Sequence, residues 1–304
     1  MLVNNVLVED GIIEVFPFYF TNLIITAETP EWALTAARTI NHAHFLDIIE
    51  KLELNQELSE MDYLFGPRVG INKHLEHSDT PDYRPGISIL VGGYDLETAK
   101  IEMRKRLYAI ICPTVSIFDG FAKEEEPEDT VSIKDLIQVF SGNTMIKAKI
   151  GETIVLSSPT IEGASCRVEP SFKIKKGFIG ANLLICGTSQ KAALKATISA
   201  VETIQEVEDV FCPYPAGINR LGSRLGSKYL YPALSEKEPE TQVPKGVKCI
   251  YEIEIDGISL DRIKEAVRAG IQEACKVEGI KRILTWGSMG KYEGKKITLK
   301  EILE

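Results

Sequence analysis

The sequence has no long apolar run: nowhere do about 18 apolar residues follow one another, the length that a membrane-spanning helix needs. Its N-terminal stretch, MLVNNVLVEDGIIEVF, contains Glu9 and Asp10 and no lysine or arginine. It therefore lacks the basic start of a signal peptide. We expect a cytoplasmic protein that does not bind to a membrane.

Basic residues are scarce as well, because 35 Lys and Arg stand against 44 Asp and Glu, a formal net charge of −9. Nucleic acids and anionic membranes are bound by basic surfaces, so we expect no nucleic-acid partner. A small anion held in a local basic pocket is still compatible with this balance. The 304 residues are enough for two domains of ordinary size.

Several catalytic and cofactor motifs are missing. The six cysteines show no CxxC spacing and mostly lie in apolar runs, so we expect buried, reduced thiols. The four histidines lie between His42 and His77, with no cysteine or carboxylate to complete a recognisable metal site, and we predict none. No GxGxxG or GxxxxGK[ST] follows a strand and no GxSxG occurs, so nucleotide-binding and serine-hydrolase folds are unsupported.

What the sequence does contain is a strand joined to a helix over 246–276. From Val247 onwards the residues alternate between two faces, which predicts a half-buried strand, with Asp256-Gly257 as the turn. Ser259 is a good N-cap for the helix that follows. Glu252 lies in mid-strand, and it is either a solvated strand carboxylate or a general acid or base on a rigid support.

The same pattern of elements occurs twice along the chain. Strands at 21–27 and 87–93 and helices after Thr29 and Asp95 form the first set, and strand 177–187 with helix 188–205 opens the second. Two consecutive βαβ units make a split-βαβ, ferredoxin-like sandwich. We predict an α/β (α+β) protein of two such lobes, 1–158 and 159–304, with mostly antiparallel sheets and helices packed on them.

The remaining segments are assigned more simply. We predict a charged amphipathic helix over 45–62 and an irregular loop over 63–86. Further strands are predicted at 108–113 and 209–215, and a last strand covers KKITLKEIL at the C-terminus.

Six segments, in order, resemble one family, the formylmethanofuran:tetrahydromethanopterin formyltransferases. They are TPDYRPGISILVGG (80–93), CPTVSIFDG (112–120), GANLLICGTSQKAALKA (180–196), CPYPAGI (212–218), LGSK (225–228) and PKGVKCIYEIEIDG (244–257). The resemblance implies two ferredoxin-like lobes, a homo-oligomer (dimer or tetramer) and an active site near a subunit contact.

The resemblance also implies a cytoplasmic enzyme of archaeal-type one-carbon metabolism. It would transfer a formyl group between formylmethanofuran and N5 of tetrahydromethanopterin, two co-substrates, without a metal or bound cofactor. The family's proposed catalytic carboxylate falls on Glu252, within KCIYE. A carboxyl whose pKa is raised by apolar neighbours could protonate the leaving amine near neutral pH.

Two groups of substrate-binding residues accompany this expectation. Pro215 and Gly217 in one turn, and Gly226 and Ser227 in another, would allow backbone N–H groups to approach the tetrahedral oxyanion. The cations Arg84 and Lys228 would bind the acidic tails of the coenzymes, unless they are ordinary surface charges.

The chain also departs from the family's pattern. Ala181 and Ala216 stand where the family has glycine, and residues 41–71 replace an early glycine-rich loop. We expect the insertion, about 41–79, to lie near the substrate cleft and to be more mobile than the core strands. The alternative function is a non-catalytic paralogue that binds a one-carbon coenzyme or assembles with a partner complex.

Overall fold

The computed structural model describes residues 1–42, 53–54, 66–141, 144–159, 165–219, 243–285 and 293–304. These residues form two compact units: a central lobe of Phe18–Lys176, and a terminal lobe of Met1–Pro17 and Gly177–Glu304. The division differs from the predicted one at 158/159. Two long strands, Ile12–Ala27 and Ser171–Gly187, each run from one lobe into the other, so the division crosses strands rather than a loop.

The fifteen strands that the structure describes are numbered in chain order. They are β1 Leu2–Val3, β2 Val6–Val8, β3 Ile12–Ala27, β4 Arg68–Leu75, β5 Gly86–Gly93, β6 Val115–Asp119, β7 Asp129–Ser132, β8 Ile146–Ile150, β9 Thr153–Pro159, β10 Ser165–Val168, β11 Ser171–Gly187, β12 Val210–Phe211, β13 Cys249–Gly257, β14 Ile280–Leu284 and β15 Lys295–Thr298. The α-helices of the same residues are α1 Pro30–His42, α2 Leu96–Tyr108, α3 Lys134–Ser141, α4 Gln190–Ile204, α5 Leu260–Ala274 and α6 Leu299–Leu303.

The central lobe contains the sequence of elements β3-α1-β4-β5-α2-β6. Its sheet order is β4-β5-β3-β6, with every neighbouring pair antiparallel. This is the predicted split-βαβ sandwich, in which each helix connects two strands that are not adjacent. Alternate residues of β3 (Leu23, Ile25 and Ala27) pack with α1 and α2 in one buried apolar cluster.

The terminal lobe repeats the arrangement with β11-α4-β12-β13-α5-β14. Its sheet order is β12-β13-β11-β14, again antiparallel throughout. The hairpin β1-β2 extends this sheet beside β14, while β15 pairs with the start of β3. The duplicated α/β architecture predicted from the sequence is therefore confirmed, with its own apolar core in each lobe.

Side-chain caps start several of the helices, among them α2, α4 and α5. The side chains of Asp95, Ser189 and Ser259 accept hydrogen bonds from the N–H groups of the third residue further along, in α2, α4 and α5 respectively. Each such cap satisfies an N–H that has no partner within its helix and stabilises the helix by about 1 kcal/mol. The predicted cap Ser259 is confirmed.

Four assignments from the sequence were wrong. Part of the predicted loop 63–86 is β4, which pairs along its whole length with β5. The predicted strand 108–113 is the end of α2 and a connection, and β6 begins only at Val115. The predicted strand 209–215 is reduced to two residues, and the predicted last strand ends in α6, which begins with a Thr298 capping box.

The predicted helix 45–62 lies outside the described residues except for 53–54, and so does most of the insertion 41–71. Within the part of the chain that the structure describes, no helix is long and apolar enough to cross a membrane.

Candidate functional site

Strand β13 places Glu252 in the middle of the terminal lobe's sheet. The strand is bonded to β11 on one side and to β12 on the other. Ile253 and Ile255 point into the core formed with α4 and α5. Because residues alternate in a strand, Glu252 and Glu254 point to the opposite face, where they are only 4% and 7% exposed. The strand carboxylate is therefore buried and not solvated.

Two neighbours of Glu252 on this face, Leu184 and Ile250, are apolar. Leu184 of β11 lies directly opposite Glu252, and Leu284 of β14 lies opposite Leu184, so the three residues form one row across the sheet. Ile250, two residues before Glu252, belongs to the same small apolar cluster as Leu184. The Glu252 carboxyl therefore lies beside apolar side chains and has little contact with water.

Asn219 connects a loop to this strand at Glu252. Its backbone N–H donates to the Glu252 carbonyl oxygen at 2.8 Å, and its side-chain Nδ2 donates to Oε2 of Glu254 at 3.1 Å. Ile218 adds a β-bridge to Ile253. Asn219 is 5% exposed, and it was missed from the sequence. The only signal was a polar residue directly after the PAGI turn.

The turn before Asn219, Pro215–Gly217, is a single turn of 3-10 helix, so the structure brings Pro215 and Gly217 to the same strand as Glu252. The N–H groups of Gly217 and Ile218 donate within the turn, to Tyr214 and Pro215. Ala216 has a φ of 54°. The role of Pro215 and Gly217 in substrate binding stays a prediction.

Asp256 is a third carboxylate on β13, and the prediction that it forms a turn was wrong. It is a fully buried strand residue opposite Phe211. Its Oδ1 accepts the N–H of Gly180 at 2.9 Å, where the pairing of β11 with β13 shifts register between Phe178 and Ala181. Asp256 therefore satisfies the backbone of a β-bulge, which leaves one strand residue unpaired.

Arg84 belongs to the central lobe. Its guanidinium bonds to Asp82, Thr26 and Ser116, and its side chain is 21% exposed. The prediction that Arg84 binds a coenzyme is neither supported nor contradicted by these contacts. Gly226, Ser227 and Lys228 lie outside the described residues.

All six cysteines are free thiols; four of them are buried as predicted, whereas Cys112 and Cys249 are partly exposed. Burial raises the pKa of the Cys166 and Cys186 thiols to about 12, so these two are protonated and unreactive at neutral pH. Among the described residues no group of three or more His, Cys, Asp or Glu is arranged to hold a metal ion.

Two family models match the chain. The model described as "Formylmethanofuran-tetrahydromethanopterin formyltransferase" covers residues 65–160, and the model "FTR, proximal lobe" covers residues 165–302.

Curated relatives match over the whole chain. A formylmethanofuran–tetrahydromethanopterin formyltransferase of Methanopyrus kandleri is 31% identical over 96% of this chain and 98% of its own length. The protein of the same name from Methanocaldococcus jannaschii is 30% identical over the full length of both chains.

Two solved structures are similar to this chain over nearly its whole length. The formyltransferase from Methanosarcina barkeri superposes with a TM-score of 0.84 at 29% identity, over 99% of this chain and 100% of that one. A structure of the formyltransferase/hydrolase complex from Methylorubrum extorquens with methylofuran matches with a TM-score of 0.83 at 24% identity, over 100% of this chain and 99% of that chain, and shows a shared fold. The chain therefore belongs to the formylmethanofuran–tetrahydromethanopterin formyltransferase family.

Proposed function

We propose that the protein transfers a formyl group between formylmethanofuran and N5 of tetrahydromethanopterin. Family membership over the full length supports the reaction. The observation that carries the mechanism is Glu252, buried in mid-strand beside Leu184 and Ile250 on the sheet face opposite α4 and α5.

The reaction needs a proton donor at the leaving group. The pterin amine attacks the formyl carbon, a C–N bond forms, and the carbonyl becomes a tetrahedral oxyanion. When the bond to the methanofuran nitrogen breaks, that nitrogen must take up a proton, because an amide anion is a poor leaving group. Glu252 gives this proton and recovers one from the attacking amine, so the protein returns to its starting state without a metal or bound cofactor.

The sheet is a suitable support for such a group. A proton donor must be held within hydrogen-bond reach of one atom, and a strand paired on both sides allows little movement. The Asn219 N–H fixes the main chain at Glu252 through the Glu252 carbonyl oxygen. Glu254, by contrast, has its carboxylate held by the Asn219 amide. The two glutamates are alike in burial and differ in their partners.

A transfer assay with matched variants tests this proposal. Purified protein is mixed with formylmethanofuran and tetrahydromethanopterin, and formation of formyltetrahydromethanopterin is followed. We expect Glu252→Gln to lower turnover by roughly 10²–10⁴, the usual contribution of a positioned acid, with little change in KM or melting temperature. Glu254→Gln is the control, because it makes the same chemical change on the same face.

Each outcome has a separate meaning. Equal losses in both variants would assign the effect to the buried face as a whole and remove Glu252 as the acid. A Glu252→Gln protein with wild-type turnover would contradict the mechanism but not the reaction. A wild-type protein that binds a coenzyme and transfers nothing would support the non-catalytic paralogue.

We also propose that the protein acts as a homo-oligomer in the cytoplasm, with both coenzymes as its small-molecule partners. The proposal is supported by the family resemblance, and light scattering tests it. A particle of about 34 kDa at micromolar concentration, the mass of one chain, would contradict it.

A further inference from the structure

The loop from Thr80 to Pro85 in the central lobe holds an aromatic residue in an unfavourable backbone conformation. Tyr83 has a φ of 55°, in the left-handed region. Glycine and asparagine adopt this region readily, whereas a bulky side chain there is an outlier that the surrounding structure must impose. Residues held in this way concentrate at binding and catalytic sites.

The Tyr83 ring does not contribute to the core of the lobe. Its side chain is among the most exposed large side chains of the described residues, at 76%. An aromatic ring normally stabilises a protein by being buried, which this ring is not. Folding stability would therefore favour glycine or asparagine at this position. The presence of tyrosine at this position is therefore explained by contact with another molecule and not by folding stability.

Both neighbours of Tyr83 are anchored inside the lobe. The Nε of Arg84 donates to Oδ2 of Asp82 at 2.8 Å, closing a bridge over the residue between them. The Asp82 side chain is 2% exposed and also accepts from the Thr26 hydroxyl at 2.9 Å. A terminal nitrogen of Arg84 donates to the Ser116 hydroxyl at 2.7 Å. The loop is thus tied to β3 and β6 on either side of the tyrosine.

The main chain of the loop is held as well. The Thr80 hydroxyl donates to the Arg84 carbonyl oxygen at 2.6 Å, and Nδ1 of His77 donates to the Tyr83 carbonyl oxygen at 2.9 Å. Pro81 and Pro85 restrict φ at two further positions of the loop. The ring is therefore held out from the surface on a rigid support and is not the tip of a loose loop.

We propose that this loop presents Tyr83 as a stacking surface for a planar aromatic ring of a one-carbon carrier. The inference rests on the proposed function, whose two carriers contain such rings, the furan of methanofuran and the pyrimidinone ring of the tetrahydropterin. Rings stack on an exposed tyrosine face, and a rigid support lowers the entropy lost on binding. In this arrangement Arg84 is a positioning residue, which acts through the conformation of Tyr83.

Binding and stability are expected to change in opposite directions, which makes the test specific. Tyr83→Gly and Tyr83→Asn remove the ring and relieve the backbone, so they should raise the melting temperature by roughly 1–4 °C. The same variants should weaken binding of one carrier by roughly 3- to 10-fold and raise its KM with kcat unchanged. Tyr83→Phe keeps the ring and should bind as the wild type does.

The measurement is calorimetric titration of the full-length protein with each carrier alone, so that the furan and pterin arms are separated. Tyr94→Ala is the matched control, because Tyr94 is 50% exposed and has no positive φ. Arg84→Met should weaken binding of the same carrier in the wild type. Arg84→Met should weaken binding of that carrier no further when Tyr83→Gly is already present. It should lower the melting temperature with either residue at position 83.

Two results would overturn the inference. The first is a Tyr83→Gly protein with unchanged affinity and KM for both carriers, measured alongside a wild type that transfers formyl groups. This result would contradict the stacking role and leave the proposed function intact. The other is a change in oligomeric mass with unchanged carrier affinity, which makes Tyr83 a contact between proteins. A wild type that transfers nothing is the failure of the proposed function, and the titrations still decide whether Tyr83 binds a carrier ring.

Discussion

Replacing Gly217 by alanine is expected to destabilise the terminal lobe by about 2–5 kcal/mol, from two contributions. The first is the backbone, because Gly217 has a φ of 71°, where a Cβ costs about 1–2 kcal/mol. The second is space, because a Cβ would lie 2.6 and 2.7 Å from the two methyl groups of Val201. Val201 is a buried, β-branched residue of α4 and has few other rotamers, so overpacking adds about 1–3 kcal/mol.

Gly217→Ala should also disturb the candidate site around Glu252. Moving the turn away from α4 strains the bridge between Ile218 and Ile253 and the hydrogen bond from Asn219 to the Glu252 carbonyl oxygen. We therefore expect formyl transfer to fall together with stability. Thermal melting should show a decrease of roughly 4–20 °C, at about 2–4 °C per kcal/mol.

Ala216→Gly is the control on the same turn, with the opposite sign. Ala216 has a φ of 54° and is exposed, so glycine relieves backbone strain without opening a cavity. The gain is reduced by the added freedom of the unfolded chain, which leaves about 0.5–1 kcal/mol of stabilisation. A Gly217→Ala protein that melts within 1 °C or so of the wild type would refute the reasoning, and so would an Ala216→Gly protein that melts lower.

Two further predictions concern buried charges of the central lobe. Arg106 is 1% exposed and is bonded to Glu102 at 3.0 Å. Arg106→Met should lower the free energy of unfolding by about 2–4 kcal/mol, because Glu102 then loses its buried partner. Urea denaturation should show most of that loss recovered in the double variant with Glu102→Met. Burial raises the pKa of Asp119 to about 6 and of Glu169 to about 7, so the folded lobe binds more protons than the unfolded chain above pH 4 or so. The free energy of unfolding should therefore fall as pH rises to about 7. Glu169→Gln keeps an acceptor for the Asp119 N–H and should flatten the dependence of the melting temperature on pH. An unchanged dependence in this variant would contradict the prediction.

Elements specified by local patterns were predictable from the sequence. The alternation around Glu252, the Ser259 cap and the buried run at 87–93 each depend on residues close in sequence, and each was found. The repeated order of strands and helices was sufficient for the split-βαβ architecture, because that topology follows from connection rules once the elements are known.

Elements specified by distant partners were missed. Strand β4 contains Gly70, Asn72 and a register shift between Ile71 and Lys73, which made the segment look like a loop. It is a strand because β5 supplies hydrogen bonds along its length, and a pairing partner cannot be seen in a local pattern. The first part of β3 was missed for a related reason: Pro17 interrupts its apolar run, yet the strand continues from Ile12 to Ala27.

In the candidate site, too, some features are defined by the local sequence and others only by distant partners. Asp256, Glu254 and Glu252 follow at every second position of one strand, and the sequence alone does not separate their roles. The structure separates two of them by their partners, since Asp256 accepts the Gly180 N–H of a bulge and Glu254 accepts the Asn219 amide. At Glu252 the Asn219 N–H bonds to the main-chain carbonyl, so Glu252→Gln leaves this hydrogen bond in place. That is why Glu252→Gln should report on chemistry, whereas a change at Asp256 would report on folding.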